Sequence, residues 1–242
     1  VAGGARSAAR GADSLRLFEV GRRYFADGER PTLGVLLAGD RTGRDWRGGK
    51  ATAFDVFDAK RAALALLAEA GVPVERLQVM APASAVYHPG RSGKLCLGPK
   101  TVLAEFGELH PATLRHFDLK GPVAAAELYL DALPAKRSNG RARAPYSPPA
   151  LQAVTRDFAF VADAGLSAES LLKAVRGADK QAITDVSLFD IFTGAGVGEG
   201  RKSVAIAVTL QPGDKSFTDE ELKAISDRIV AAAAKAGAEL RG

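Results

Sequence analysis

Six segments between Asp157 and Arg241 follow one another in the order strand, helix, strand, strand, helix, strand, and most carry their own stop or start signals. Asp157–Val161 reads as a strand. Leu166 and Leu171 then flank Ser167 in the spacing of a hydrophobic staple, which places a helix N-cap at Ser167, and Leu171, Leu172 and Val175 form one apolar face before Gly177. Val186–Phe192 is a second strand and Gly194–Gly200 a turn. In the third strand, Ser203–Leu210, the residues Val204, Ile206, Val208 and Leu210 alternate with small or polar ones. Thr218 and Glu221 have the spacing of a capping box for a helix through Leu222, Ile225, Ile229 and Val230, which Gly237 closes before a last short strand, Ala238–Arg241.

That order, β-α-β-β-α-β, is the ferredoxin-like split unit. The residues before it predict a different organisation. Leu15–Phe25 and Thr32–Ala38 read as a hairpin around the turn-forming Asp27, Gly28 and Pro31. A helix follows with Phe54, Phe57, Leu64 and Leu67 on one face, ended by Gly71 and Pro73. Strands are expected at Leu77–Ala81, Lys94–Leu97, Val102–Phe106 and Ala124–Leu130, with a short helical stretch near Pro111–Phe117. Many strands and few helices, without regular alternation, imply a mostly antiparallel sheet and an α+β class. Pro134–Pro149 reads as a linker in which Lys136, Arg137, Arg141 and Arg143 stand among Ser, Asn, Gly and Pro. The expected domains are therefore 1–148, with a linker over about 134–148, and 149–242. The opening, up to about Asp13, is rich in Ala, Gly and Arg and receives no function.

Composition removes several classes. Apolar residues at 47% and charged residues at 25% argue against a mostly disordered or fibrous chain. The longest apolar stretches, such as Ala62–Leu67, are far too short to cross a bilayer, and no basic-then-apolar signal segment opens the chain, so a cytoplasmic location is expected. Cys96, the single cysteine, excludes an intramolecular disulfide and a Cys cluster for zinc. The chain starts at Val1 and its one methionine is Met80, which suggests part of a longer protein. The net charge of +5 is uneven, with a basic excess of 7 through residue 150 and an acidic excess of 2 after it. Such an excess is compatible with phosphate contacts and also with a solvated surface.

Specific strings say more than the fold, which alone serves many functions. RDFAFV (Arg156–Val161), SLFDIFTG (Ser187–Gly194), GRKSVAIAVTLQ (Gly200–Gln211) and FTDEEL (Phe217–Leu222) resemble the ferredoxin-fold anticodon-binding domain of bacterial phenylalanyl-tRNA synthetase β subunits. LFEVGRRY (Leu17–Tyr24), FDVFDAK (Phe54–Lys60), YHPGRSG (Tyr87–Gly93), FGELHP (Phe106–Pro111) and AELYLDAL (Ala126–Leu133) resemble the catalytic-like module of the same subunits, a relative of the class II synthetase fold that has lost its active site. The likeness runs from about Leu15 to Gly242. It implies the carboxy-terminal part of such a subunit: a partial class II catalytic-like antiparallel sheet module followed by the anticodon-binding domain. It also implies a catalytic α subunit and tRNA(Phe) as partners, and an (αβ)2 heterotetramer at full length. The assembled enzyme would join phenylalanine to tRNA with ATP and Mg²⁺ through an aminoacyl adenylate. This chain itself is expected to hold no catalytic residue, cofactor or metal. Two departures stand out: Thr155, where many relatives place a basic residue, and DAKRA (Asp58–Ala62) for DLKGD, a change expected to alter only a helix surface.

An anticodon loop offers phosphates to cations and unstacked bases to aromatic rings. Arg201 and Lys202 beside the hairpin turn, Lys215 in the next loop and Arg156 are the cationic candidates for tRNA binding, and Phe192 is the candidate ring. Phe192 also suits a core position, and Phe158, Phe160 and Phe189 are expected in the core. Lys202 is expected to hold its ammonium in solvent and to act on tRNA through charge. The histidines His88, His110 and His116 lack metalloenzyme spacing, and His88 and His110 precede proline, so structural roles are expected. Gly194–Gly200 lacks the Gly-Lys-Ser/Thr ending of a phosphate loop and reads as a turn. The helix near Asp55–Ala70 is expected to face the α subunit. Two other classes stay open: a small-molecule sensing module built on the ferredoxin-like domain, and a hydrolase around His88 and His110.

Overall fold

The computed structural model describes residues 1–12, 14–134 and 148–241. Lys136, Arg137, Arg141 and Arg143 of the expected linker lie outside the described residues. The chain divides into two compact units, Val1–Arg141 and Ala142–Gly242.

The first unit runs α1 (Ala2–Ala9), β1 (Ser14–Phe25), β2 (Gly28–Thr42), β3 (Thr52–Ala53), α2 (Val56–Glu69), β4 (Gln78–Met80), β5 (Tyr87–Leu97), β6 (Thr101–Leu109), α3 (Pro111–His116) and β7 (Val123–Tyr129). Its strands form one antiparallel sheet in the order β1-β2-β7-β6-β5-β4, with β3 paired to the end of β2. The hairpin, the antiparallel sheet and the helices α2 and α3 follow the sequence reading. Helix α2 starts on a reciprocal cap: the Asp55 carboxylate accepts the Phe57 and Asp58 N–H groups, and Asp58 accepts the Asp55 N–H. Arg61, one of the residues of the DAKRA departure, and Arg41 each lie 3.4 Å from the enclosed Asp58 carboxylate.

The buried stripe of α2 is not the expected one. It consists of Ala59, Ala63 and Leu67, whereas Phe57 is 66% exposed and the buried Phe54 precedes the helix. Positions i, i+4 and i+8 share a face, and Phe57, two residues before Ala59, points to the far side. The two alanines let the helix backbone approach Leu37, Phe106 and Leu128 in the sheet. Large apolar residues marked the helix, but small ones mark its contact. Opposite this face, Leu36, Tyr87, Leu109, Val123 and Ala125 form a smaller cluster with Leu114 and Leu119.

The strings HPGRSG and FGELHP meet across β5 and β6. A side chain at Gly107 would put its Cβ 2.5 Å from Ser92 Cβ and 2.7 Å from the Arg91 carbonyl, and the ring of Phe106 closes over Gly93. Both histidines of these strings bond the backbone two residues further on, His110 at a helix start and His88 within the irregular first part of β5. His110 Nδ1 accepts the Ala112 N–H at 3.1 Å as the cap of α3, and His88 Nδ1 accepts the Gly90 N–H at 3.1 Å. Cys96 is buried in β5.

The second unit runs β8 (Val154–Asp163), α4 (Ala168–Arg176), β9 (Ile183–Phe192), β10 (Arg201–Leu210), α5 (Asp219–Lys235) and β11 (Ala238–Leu240). Its antiparallel sheet has the order β11-β8-β10-β9, the ferredoxin-like topology that the segment order implied. Val204, Ile206, Val208 and Leu210 are fully buried with Phe160, against Leu171 and Val175 of α4 and Ile225, Ile229 and Ala233 of α5. The Thr218–Glu221 capping box is present, with Glu221 N–H donating to Thr218 Oγ at 3.2 Å and Thr218 N–H donating to Glu221 at 2.9 Å. Ser167 stands at the N-cap of α4, but its hydroxyl makes no capping bond. Leu166 and Leu171 in the same core supply the staple instead.

Asp179 ties the entry to β9. Its carboxylate accepts the Gln181 and Ala182 N–H groups and meets Arg228 at 2.6 Å. The Ala182 N–H is the main cause that holds its pKa below the usual carboxylate range, with the Arg228 guanidinium adding to it against a raising effect of burial. Because the folded pKa is the lower one, this stabilisation is complete above the unfolded value of about 3.9 and disappears as pH falls through the folded value. Asp179→Asn should therefore flatten the acid limb of the second unit's melting-temperature profile below about pH 4. Parallel profiles for the two proteins would refute it.

Candidate nucleic-acid interface

In antiparallel pairs, directly opposed residues share a face. Val204 pairs with Phe160 and Ile191, and Ile206 with Phe158 and Leu188, so these lie on the helix-covered side. The intervening pairs define the other side: Ser203 with Phe192 and Val161, Ala205 with Asp190 and Ala159, and Ala207 with Ser187 and Asp157. This side carries no described helix of the unit. It presents a floor of small residues, Ser203, Ala205, Ala207 and Ala159, with Phe192 and Asp190 standing at its β9 edge.

Phe192 is 43% exposed. Its ring tip lies against Gly194, where a Cβ would come within 3.3 Å of Phe192 Cζ and where φ is +150°. Glycine at 194 thus leaves room for a ring held upright at the end of the strand. Ser203, directly opposite, is buried although it belongs to the open side. Asp190 occupies the neighbouring position of the same edge and is exposed.

The expectation that Phe189 is core is overturned, for it is 58% exposed. Ala205 pairs with Asp190 and Ile206 with Leu188, so Phe189 is the extra residue of a bulge and leaves the alternation. Phe160 is fully enclosed and stacks on the partly buried Phe158 at 6.0 Å, as expected of core aromatics.

The five residues expected at tRNA do not converge. Arg201 pairs with Asp163 and shares the open side with Phe192, and its guanidinium lies 3.4 Å from Glu239. Lys215 is 3.0 Å from Glu221. Arg156 pairs with Val208, which puts it on the helix side, although it is exposed. Lys202 corrects the clearest expectation. Its ammonium is not free in solvent but bonded, donating to the carbonyls of Ala164 (2.8 Å) and Leu166 (2.6 Å) and clamping the chain as it enters α4. Lys202 pairs with the buried Ala162, so register turns it toward the helix side. Lys202→Ala should lower the stability of the unit by about 1 kcal/mol through those two carbonyls, measured as a shift in melting temperature. An unshifted melting curve would show that water replaces the ammonium without cost.

Sequence reasoning missed Asp190, whose signal was its place two residues before Phe192 in SLFDIFTG, the spacing that puts two side chains on one face of a strand. Among the described residues, no group of three or more His, Cys, Asp and Glu side chains is placed to hold a metal ion.

Comparison with known proteins gives this geometry a setting. Residues 4–130 match the family model described as phenylalanyl tRNA synthetase beta chain CLM domain, and residues 149–241 match the ferredoxin-fold anticodon binding domain. The chain is 62% identical to the "Phenylalanine--tRNA ligase beta subunit" of Novosphingobium aromaticivorans and 55% identical to that of Zymomonas mobilis, each over 98% of its own length. It spans about 30% of the length of these curated relatives. Among solved structures, it is similar to a pyrrolysyl tRNA synthetase from Desulfitobacterium hafniense at 18% identity and a TM-score of 0.40, over 53% of this chain and 44% of that one. A likeness that weak carries no argument. The two family models cover nearly all of the chain in succession, and on their evidence it belongs to the phenylalanyl-tRNA synthetase beta-chain family.

Proposed function

We propose that this chain is a tRNA-holding and subunit-packing part of a phenylalanyl-tRNA synthetase, and that the helix-free sheet face of residues 149–242 receives the anticodon region of tRNA(Phe). The observation that carries the reading is an exposed ring, Phe192, beside an exposed carboxylate, Asp190, on the open face of a domain matched to an anticodon-binding family. Proteins that read single-stranded loops stack unpaired bases on aromatic side chains and bond their edges. Phe192 supplies the stack. Asp190 accepts hydrogen bonds from base amino and imino groups. The small floor leaves room for a base to lie flat.

Asp185 pairs with Thr209 on the same side, and an open face bearing Asp157, Asp185 and Asp190 is poorly suited to phosphates, so cations must come from its rim. Arg201 is the rim cation nearest in register to Phe192, while Arg156 and Lys215 are further candidates from other faces and loops. Lys202 contributes by holding the fold beside that rim. Residues 1–148 are proposed to pack against the catalytic α subunit, which in the (αβ)2 assembly would use ATP and Mg²⁺ to make the adenylate and transfer phenylalanine. The exposed Phe57 of α2 and Phe18 and Val20 of β1 are apolar side chains that such a contact would cover. The proposed location is cytoplasmic. No helix among the described residues is long and apolar enough to cross a membrane.

The test is protection of tRNA(Phe) from a single-strand-specific nuclease. The chain should shield the anticodon loop, and Asp190→Ala should lift that protection. Binding with the anticodon loop left fully cleavable would overturn the reading. The sensing alternative makes a different forecast, a calorimetric signal with a free amino acid and none with tRNA. The purified chain should also give no phenylalanine-dependent pyrophosphate exchange, and a measurable rate would contradict a division of labour that leaves chemistry to α.

A further inference from the structure

Among the described residues, the most exposed large hydrophobic side chain lies in the first unit, in the loop between β2 and β3. Trp46 is 91% exposed. A tryptophan left in water forgoes the burial that its large apolar surface would otherwise gain, so its position invites a partner. The loop is built to hold it out. The Asp45 carboxylate accepts the Arg47 and Gly48 N–H groups, both at 2.6 Å, and Asp45 and Gly49 exchange backbone bonds at 2.9 and 3.3 Å. Gly49, at φ +81°, closes the turn in a conformation that other residues rarely adopt.

The surroundings of the ring are cationic. Arg47 lies over the indole, 5.6 Å from its centroid, and Arg44 and Lys50 line the same recess. None of the three has a carboxylate partner among the described residues. The one acid of the recess, Asp45, is committed to its own turn, and those two N–H bonds, Gly48 first, hold its pKa below the usual carboxylate range. The first 150 residues as a whole carry a basic excess of 7. A protein partner covering this loop would have to bring carboxylates to three cations as well as a surface for the indole. An RNA strand offers each a phosphate and offers the indole a base.

We propose that the Trp46 loop is a second RNA contact, in which an unpaired base of tRNA stacks on the indole while Arg44, Arg47 and Lys50 hold the adjoining phosphates. The proposal rests on the reading that the chain handles tRNA, but not on the sheet face of the second unit. Trp46 is the only tryptophan of the chain, so its fluorescence reports on this loop alone. The probe is a tRNA(Phe) transcript titrated into the 242-residue chain, with binding followed separately by gel retardation. Saturable quenching of Trp46 emission is expected. Trp46→Ala should weaken binding about tenfold, and Arg47→Ala or Lys50→Ala should each reduce the magnitude of the salt slope by roughly one unit, with melting curves unchanged. Binding that is sensitive to Phe192→Ala but leaves Trp46 emission unmoved would overturn this contact and spare the anticodon reading. Quenching that survives Phe192→Ala with the anticodon loop unprotected would do the reverse. A change of emission on adding a catalytic α subunit, with none on adding tRNA, would assign the loop to a protein interface and reject the RNA proposal.

Discussion

Gly107→Ala is expected to destabilise the first unit by about 3 kcal/mol or more, the largest single effect among the substitutions considered. A methyl group at Gly107 would enter the space of Ser92 Cβ, Ser92 Cα and the Arg91 carbonyl, at 2.5, 2.8 and 2.7 Å. Two of these three are backbone atoms, so no side-chain rotation relieves the overlap. The strand β5 would have to leave β6, and with it the register from Ser92 to Leu97 that carries the buried Leu95 and Cys96. Gly34→Ala is the control, since nothing stands within 4 Å of a Cβ there. Its melting temperature should stay near that of the parent. Equal stability of the two variants would mean that the fit between HPGRSG and FGELHP is not what holds these strands in register.

Phe192→Ala is expected to weaken tRNA(Phe) binding by about 1–3 kcal/mol, or roughly 5- to 150-fold, which is the range for a base losing its aromatic platform. The melting temperature should hardly move, because the ring is 43% exposed and lies outside the core of the unit. The contrast with Lys202→Ala is the informative part. Lys202 serves two carbonyls of the fold, so its loss should appear in melting and leave the salt dependence of binding alone. If Phe192→Ala unfolded the unit and Lys202→Ala changed the salt slope, the assignments of ring and ammonium would have to be exchanged.

The order of the second unit was legible because most of its elements carry their own punctuation. The Thr218–Glu221 box, the alternation through Val204 to Leu210 and Gly237 at φ +89° are local features that the fold retains. The hairpin Leu15–Phe25 with Thr32–Ala38 was legible for the same reason, although β2 extends further, over Gly28–Thr42. The misreadings share a cause. Apolarity grouped Phe57 with Phe54, Leu64 and Leu67 on one helix face and assigned Phe189 to the core, but a helix packed through alanines and a bulge in an edge strand each turn a large side chain outward. Lys202 was read as free because its partners are backbone carbonyls 38 and 36 residues away, which no sequence pattern displays. Asp190 and Trp46 escaped because exposure, not residue type, is what singles them out.

The claim that the open sheet face reads the anticodon is tested most directly by comparing affinity for tRNA(Phe) with affinity for the same tRNA carrying a replaced anticodon. The unaltered chain should bind the replaced form about tenfold more weakly, equivalent to about 1.4 kcal/mol, and the double variant Phe192→Ala, Asp190→Ala should bind both equally. Tight binding by the unaltered chain that does not distinguish the two tRNAs would contradict it.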